Sequence, residues 1–304
     1  MLQKKVLCKY PIPFLQDMLH GIMSGDFVMI AAGTGGGKSS VSRMLTQNAV
    51  YEGCPVVLYS LEDEQQTYAT DSVYREAVKN GCKLDFREWM LENTECPEKY
   101  RECAIRAAEK DMKKNEDGLP LLVVHEMQGK NNWNVGTIVK SMLAEYEQGY
   151  RLFILDHLDV LVPSELPADM VRAINLLWRL VSEKQIALVT FSQLASRRNK
   201  EALCPSLDDI RGSKAKVQTP TVVISLARHN FGVYSWDKNP EASPTYIRVI
   251  KNRQGGKLGC SVSYYWHGHY VPYYINVDTD ESGCIIDGQT MASLRKKIGK
   301  KELQ

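Results

Sequence analysis

Residues 27–40 read FVMIAAGTGGGKSS: six apolar residues, a glycine-rich turn, then Lys-Ser-Ser opening a segment with helical spacing. Few architectures make a strand turn into a helix through glycines, and the α/β layered folds are the ones that do. Gly33, Gly35, Gly36 and Gly37 lack side chains, so backbone N–H groups can close around an anion at a helix amino end whose dipole favours negative charge. The pattern predicts a triphosphate-binding loop made of Gly33, Thr34, Gly35, Gly36, Gly37, Lys38, Ser39 and Ser40. Lys38 is expected on the β- and γ-phosphates and the Ser39 hydroxyl on Mg²⁺. The pattern GxxxxGK[ST] places glycine at position 32, where this chain has Ala32.

The remainder of the chain extends the same theme. Helical spacing continues through VSRMLTQNAVYEG, and PVVLYSLEDE then reads as a strand ending in carboxylates. LLVVHEM at 121–127 and RLFILDHLDVL at 151–161 are apolar strands separated by the helix-like VGTIVKSMLAEYEQ. A helix near 167–184 leads into the strand IALVTFSQL at 186–194. Strands alternating with helices imply a mainly parallel sheet covered on both faces. Past residue 219, TVVISLARH, TYIRVIKNR and CSVSYYWHGHYV follow with short connections, as an antiparallel extension of that sheet would. Residues 81–118 are charged and carry no strand signal, which predicts a helical insertion. We divide the chain into a lead-in at 1–20, an ATPase domain at 21–280 and a basic tail at 281–304.

Composition narrows the partners. With 38 basic and 36 acidic side chains the net charge is +2, so contact with nucleic acid must come from a local patch. Eight cysteines form no C-x-x-C pair and six histidines show no zinc spacing, which fits free thiols in a reducing cytoplasm and no metal beyond nucleotide-bound Mg²⁺. No run of 18 apolar residues and no signal core appears, so neither membrane nor export is expected.

Two carboxylates sharpen the chemistry. Asp156 follows four apolar residues at a strand end, where an acid holds Mg²⁺ through water opposite Ser39. Glu62, in LYSLE, ends the strand after the loop's helix, where it can orient and deprotonate an attacking water.

With these motifs in order, residues 11–270 resemble the RecA-like hexameric replicative helicases: the DnaB type, the helicase half of phage primase-helicases, and Twinkle. AAGTGGGKSS is similar to the family's phosphate loop, which in the DnaB branch often begins with Ala. SLEDE resembles its S-L-E motif, and FILDHLDVL its Walker B strand with Leu-Asp-His. TFSQLASRRN resembles the DnaB-type motif with Gln193 after Ser. DDIRGSKAKVQTPTVVISLARHN is similar to the segment carrying a DNA-binding loop, and KNRQGGKLG to the K-x-R arginine-finger segment.

The resemblance implies a RecA-like phosphate-loop NTPase core in which Gln193 senses the γ-phosphate and couples it to DNA. Lys251 and Arg253 are implied to reach a neighbouring subunit's triphosphate, with Arg228 and Trp266 flanking the nucleotide base and Tyr265 an alternative to Trp266. Single-stranded DNA is expected on two basic loops. One holds Arg197, Arg198, Asn199 and Lys200 and the other Arg211, Gly212, Ser213 and Lys214, with the basic run continuing to Lys216. Lys214 stands where the family usually has glycine.

The implied activity is a hexamer, of phage or mobile-element type, that hydrolyses ATP, dTTP or another NTP with Mg²⁺. It moves 5′ to 3′ on single-stranded DNA in replication, with a primase, loader or polymerase as partner, in the cytoplasm. No primase or N-terminal helical domain is expected, and the linker helix that hooks relatives to the next subunit is expected to be absent or very short. This implies a weaker ring, or one that needs DNA, nucleotide or a partner. The rivals are a RecA or RadA-like recombination ATPase forming filaments and a KaiC-like regulatory ATPase. The basic loops favour DNA, and the Leu-Asp-His and K-x-R segments favour the helicase.

Overall fold

The glycine-rich turn leaves the centre of a nine-stranded sheet in the computed structural model, which describes residues 4–61, 67–82, 84, 86–95, 97–126, 133–162, 166–194, 205, 207–210, 214–228, 243–266 and 269–277. In chain order the elements are β1 (Val6–Cys8), α1 (Pro13–Leu19), β2 (Ile22–Met23), β3 (Phe27–Ala32), α2 (Lys38–Tyr51), β4 (Val56–Ser60), α3 (Thr67–Lys79), α4 (Phe86–Glu95) and α5 (Arg101–Asp111). They continue with β5 (Leu122–Glu126), α6 (Val135–Gln148), β6 (Leu152–Asp156), α7 (Pro167–Lys184), β7 (Ala187–Gln193), α8 (Ala215–Gln218), β8 (Val222–Arg228), β9 (Ser243–Asn252), β10 (Gly259–Trp266) and β11 (His269–Val277). The large sheet runs β11-β10-β9-β8-β3-β7-β6-β4-β5, and β1 pairs with β2 in a separate ribbon.

From β5 to β8 every pairing is parallel. Only β9, β10 and β11 continue antiparallel. One sheet therefore holds both parts, as the α/β reading expects. The boundary lies one strand later than the sequence suggests, because β8 pairs parallel with β3 instead of opening the antiparallel part. The stretch 151–161 is also not one strand. After Asp156 the chain enters a short 3₁₀ turn at Leu158–Leu161, with the His157 ring nitrogen Nδ1 accepting from the Asp159 backbone N–H at 3.2 Å.

Every residue of β3 is buried, and its alternate side chains feed different cores. Val28, Ile30 and Ala32 pack with Phe14, Leu15, Val41 and Leu45 of α1 and α2. Phe27, Met29 and Ala31 pack with Ile138 and Met142 of α6 and Ile174 and Leu177 of α7. The apolar spacing of α6 and α7 thus reads directly as contact with the second face. An Asn134–Thr137 capping box fixes the start of α6 and Gly149 its end.

The helical block between β4 and β5 starts earlier than the expected 81–118, at α3, and stops at α5; beyond it Lys114 bridges to Pro120. Its small core gathers Tyr74, Trp89, Tyr100 and Cys103 around aromatic edge contacts. Asp111, at the end of α5, is mostly buried; its Oδ2 accepts from the Ser72 hydroxyl at 3.2 Å, while Oδ1 is buried without a hydrogen bond. Burial pushes this carboxyl up to about 6, with Glu76 adding to the shift and Lys110 and Ser72 opposing it.

A raised carboxyl favours the folded chain below the unfolded value near 4, and that contribution is lost as pH rises to 6. Asp111→Asn keeps the acceptor for Ser72 and carries no charge. We expect it to raise Tm at pH 8 by about 2–4 °C, the effect of ~1 kcal/mol in a domain of this size. The gap should close toward pH 4, and equal Tm values at pH 8 would show that this carboxylate is adequately solvated.

Candidate nucleotide site

The phosphate loop forms because β3 delivers Ala32 to the carboxyl edge of the sheet and the next five residues must reverse into α2. The helix starts from Gly37, whose φ of 90° lies in the left-handed region that favours glycine. A side chain on Gly36 would sit 2.9 Å from the Gly33 carbonyl oxygen and 3.0 Å from the Ala32 methyl, so the turn closes only with glycine there. Ala32 is still a strand residue with its methyl in the α1–α2 core, which explains why alanine suffices where the pattern has glycine. Gly33 and Gly35 have open space beside them. Lys38 is buried, with its ammonium 3.4 Å from the Gly33 carbonyl.

Asp156 ends β6 two strands from β3 and is 2% exposed. Its Oδ2 accepts from the Ser42 hydroxyl at 2.8 Å, and the Ser42 oxygen also lies 3.3 Å from the Ser39 carbonyl oxygen. The acid is thereby tied to the first turn of α2, on which half-buried Ser39 stands. Hydroxyl and carboxylate oxygens gathered beside a phosphate loop suit a hard cation such as Mg²⁺. From the other side, Arg75 of α3, 1% exposed, pairs with Asp71 at 2.5 Å and donates to the Ser40 carbonyl at 3.3 Å. The helical block therefore braces the loop's helix, a role its charged sequence did not announce.

Gln193, at the end of β7, donates from its side-chain amide to the Thr34 hydroxyl at 2.7 Å. The expected phosphate sensor thus touches the phosphate loop. Its own backbone N–H donates to Asp159 Oδ2 at 2.9 Å, and the Ser192 hydroxyl to the same oxygen at 3.1 Å. Lys216 completes the cluster, bonding Asp159 Oδ1 and, at 2.9 Å, the Ser192 hydroxyl. Burial opposes ionisation of Asp159, but the Lys216 ammonium, its hydrogen bond and the Gln193 N–H outweigh it, so the carboxyl stays below the ordinary range. The basic run to Lys216 suggests a phosphate contact, but at 1% exposure Lys216 cannot supply one. Reading LDVL as strand hides Asp159, and the one signal for it in the sequence is a second aspartate three residues after Asp156.

Lys251 and Arg253 lie elsewhere. Lys251 pairs with Val223, and the Arg253 N–H bonds the Thr221 carbonyl; Thr221 in turn bonds Phe27, the first residue of β3. The phosphate loop begins after Ala32, five residues and about 17 Å of strand farther on. The two cations thus occupy the opposite edge of the sheet from their own loop. There Lys251 donates to the carbonyls of Val217 and Gln218, both at 2.6 Å, and Arg253 to that of Gln218 at 2.8 Å. Burial, with Arg253 nearby, lowers the Lys251 ammonium to about 8.

Arg228 ends β8 at the carboxyl edge, two positions beyond the Leu226 that pairs with Ala32, and Trp266 ends β10. The backbone places both toward the phosphate-loop edge, with Trp266 three strands from β3; their side chains lie outside what is described. Lys214 adopts ordinary right-handed helical backbone with φ of −54°, so glycine is not needed there. Glu62, Arg197, Arg198, Asn199, Lys200, Arg211, Gly212 and Ser213 lie outside the described residues, as does the 281–304 tail.

Comparison with known proteins agrees with this fold. A DnaB-like helicase C-terminal domain model matches residues 11–273. Among solved structures, one described as a DnaB-like replicative helicase and its interactions with primase aligns at 18% identity and a TM-score of 0.70, covering 88% of this chain and 62% of the other. A second, described as an ATPase domain, aligns at 18% identity and a TM-score of 0.71, covering 88% of this chain and 92% of that domain. This chain thus spans less than two thirds of the first structure. No curated protein matches. The family match extends over most of the chain, from before β3 to within β11, and on that basis this chain belongs to the DnaB-like helicase C-terminal domain family.

Proposed function

We propose that the chain is the motor domain of a replicative DNA helicase, an ATP-hydrolysing enzyme that assembles as a hexameric ring and moves 5′ to 3′ on single-stranded DNA. The observation that carries this reading is the bond from Gln193 to Thr34. A residue at the root of the basic segment 195–200 touches the loop that would hold the γ-phosphate. Family membership favours the helicase over the filament-forming recombinase and the KaiC-like ATPase.

In this reading the N–H groups of Gly33 to Gly37 and Lys38 bind the phosphates, with Ser40 supporting the loop from the first turn of α2. Ser39 and Asp156 would hold Mg²⁺, which neutralises phosphate charge when bound. Glu62 orients and deprotonates water, Gln193 reads the γ-phosphate, and Arg228 and Trp266 flank the base. DNA phosphates meet Arg197, Arg198, Asn199 and Lys200 on one loop and Arg211, Gly212, Ser213 and Lys214 on the other. Lys251 and Arg253 complete the next subunit's site, because they sit at the wrong edge of the sheet for their own. A primase is the partner we favour, and the host cytoplasm the location. Among the described residues no helix is long and apolar enough to cross a membrane.

Hydrolysis should rise on adding single-stranded DNA. Lys38→Ala should lose nucleotide binding, whereas Glu62→Gln should bind normally and hydrolyse about a hundredfold more slowly, the scale of a positioned general base. Parallel binding and turnover assays check this. Equal loss of binding in both variants would remove Glu62 from the mechanism, and the absence of DNA stimulation would count against the motor.

Arg253→Ala should bind nucleotide and hydrolyse it about a thousandfold more slowly, as expected when a cation facing developing phosphate charge is lost. Mixing it with Glu62→Gln should recover part of the activity, since a mixed interface can pair an intact Glu62 with an intact Arg253. Parental turnover by Arg253→Ala alone, at saturating ATP and DNA, would refute the assignment.

A further inference from the structure

The buried cation Lys216 is absorbed by none of the roles above. It stands on α8, a helix of only four residues that begins directly after Lys214, the last residue of the second basic segment. Its ammonium reaches Asp159 and Ser192 at the carboxyl edge of β6 and β7. Asp159 holds the Gln193 backbone N–H, and Gln193 holds Thr34 of the phosphate loop. The other end of α8 presents the Val217 and Gln218 carbonyls to Lys251 and Arg253. One short helix thus touches the phosphate-facing cluster at one end and the opposite sheet edge at the other.

We propose that Lys216 is a positioning residue whose bond to Asp159 makes Gln193 and α8 move as one, so that nucleotide at the phosphate loop alters DNA affinity and DNA alters nucleotide affinity. The inference rests on the helicase reading and specifies the link within it. Lys216 is buried and Asp159 only partly exposed, and an ion pair drawn this far from water is a poor source of net stability, because desolvating the charges offsets most of their attraction. What such a pair does well is fix register: Lys216 cannot leave Asp159 without stranding a charge, so α8 must follow any displacement of the 3₁₀ turn or of Gln193. Ser192 gives the ammonium a second acceptor from β7 itself, which ties the helix to the strand that carries the sensor.

Coupling is reciprocal and is measured by binding alone. In the parent, oligo-thymidylate should tighten binding of a non-hydrolysable ATP analogue about fivefold or more, within the usual range of coupling between sites. Lys216→Met would leave Asp159 charged without its cation, so the informative variant is Lys216→Met with Asp159→Asn. The asparagine oxygen still accepts from the Gln193 N–H while the charge on both sides is gone. This double variant should unfold near the parental Tm and bind each ligand singly with affinity within about twofold of the parent, yet show a coupling factor near 1. Lys216→Arg should retain the factor.

Parental coupling in the folded double variant overturns the link and leaves the helicase reading standing. No coupling in the parent overturns both. A measurement on the parent alone guards against a misfolded variant: hydrogen exchange at the Val217 and Gln218 amides, which donate to the Lys214 carbonyl. The ATP analogue added without DNA should change that exchange, and identical exchange overturns the proposal.

Discussion

Burial of β3 on both faces constrains everything else in this molecule. Six consecutive residues with no access to water must send alternate side chains into two separate cores, and each core needs its own helices. A strand held in this way cannot slide by one residue without reversing every side chain. Ala32 therefore reaches the carboxyl edge at a fixed height, and the glycine turn beyond it inherits that precision. The Gly36 packing against Gly33 and Ala32 leaves so little room that the loop's shape follows from the strand's position.

The polar groups of the site are arranged by the same edge. Asp156, Gln193 and Ala32 end three of the central parallel strands, and short bonds cross between them: Ser42 to Asp156, Gln193 to Thr34, Gln193 to Asp159. Arg75 with Asp71 and Lys216 with Asp159 set opposite charges side by side, as low-dielectric surroundings favour. Asp159 shows how far this goes. Buried carboxyls ordinarily resist ionisation, yet here a lysine and a backbone N–H reverse the sign.

Much of this was legible in the sequence because it depends on local patterns. The apolar runs point to β4, β6 and β7, the helical spacing to α6 and α7 with close boundaries, and the strand-turn-helix signature to the glycine turn between β3 and α2. What escaped depends on long-range pairing. Whether β8 runs parallel or antiparallel to β3 is decided by partners nearly two hundred residues away. Lys216 looked like one more basic residue in a basic run, and no spacing rule says that a single lysine turns inward to meet an aspartate 57 residues earlier. Arg75 under Ser40 is similar: its partner Asp71 lies one turn back on α3, which reads as an ordinary surface pair.

The position of Arg253 has a geometrical consequence for how copies of the chain can associate. The phosphate loop is at one edge of the sheet and Lys251 with Arg253 at the other, so under the assignment proposed for Arg253 each copy would offer one half of a composite site on each of two different surfaces. Contact between unlike surfaces is head-to-tail, and it can repeat without limit or close on itself. Under the assignment proposed for Arg253, an open row always has one complete site fewer than it has subunits, with a loop unserved at one end and a guanidinium unused at the other. Closure alone makes sites and subunits equal in number. A catalytic centre divided as proposed would turn the completeness of the assembly itself into a condition for full turnover per chain.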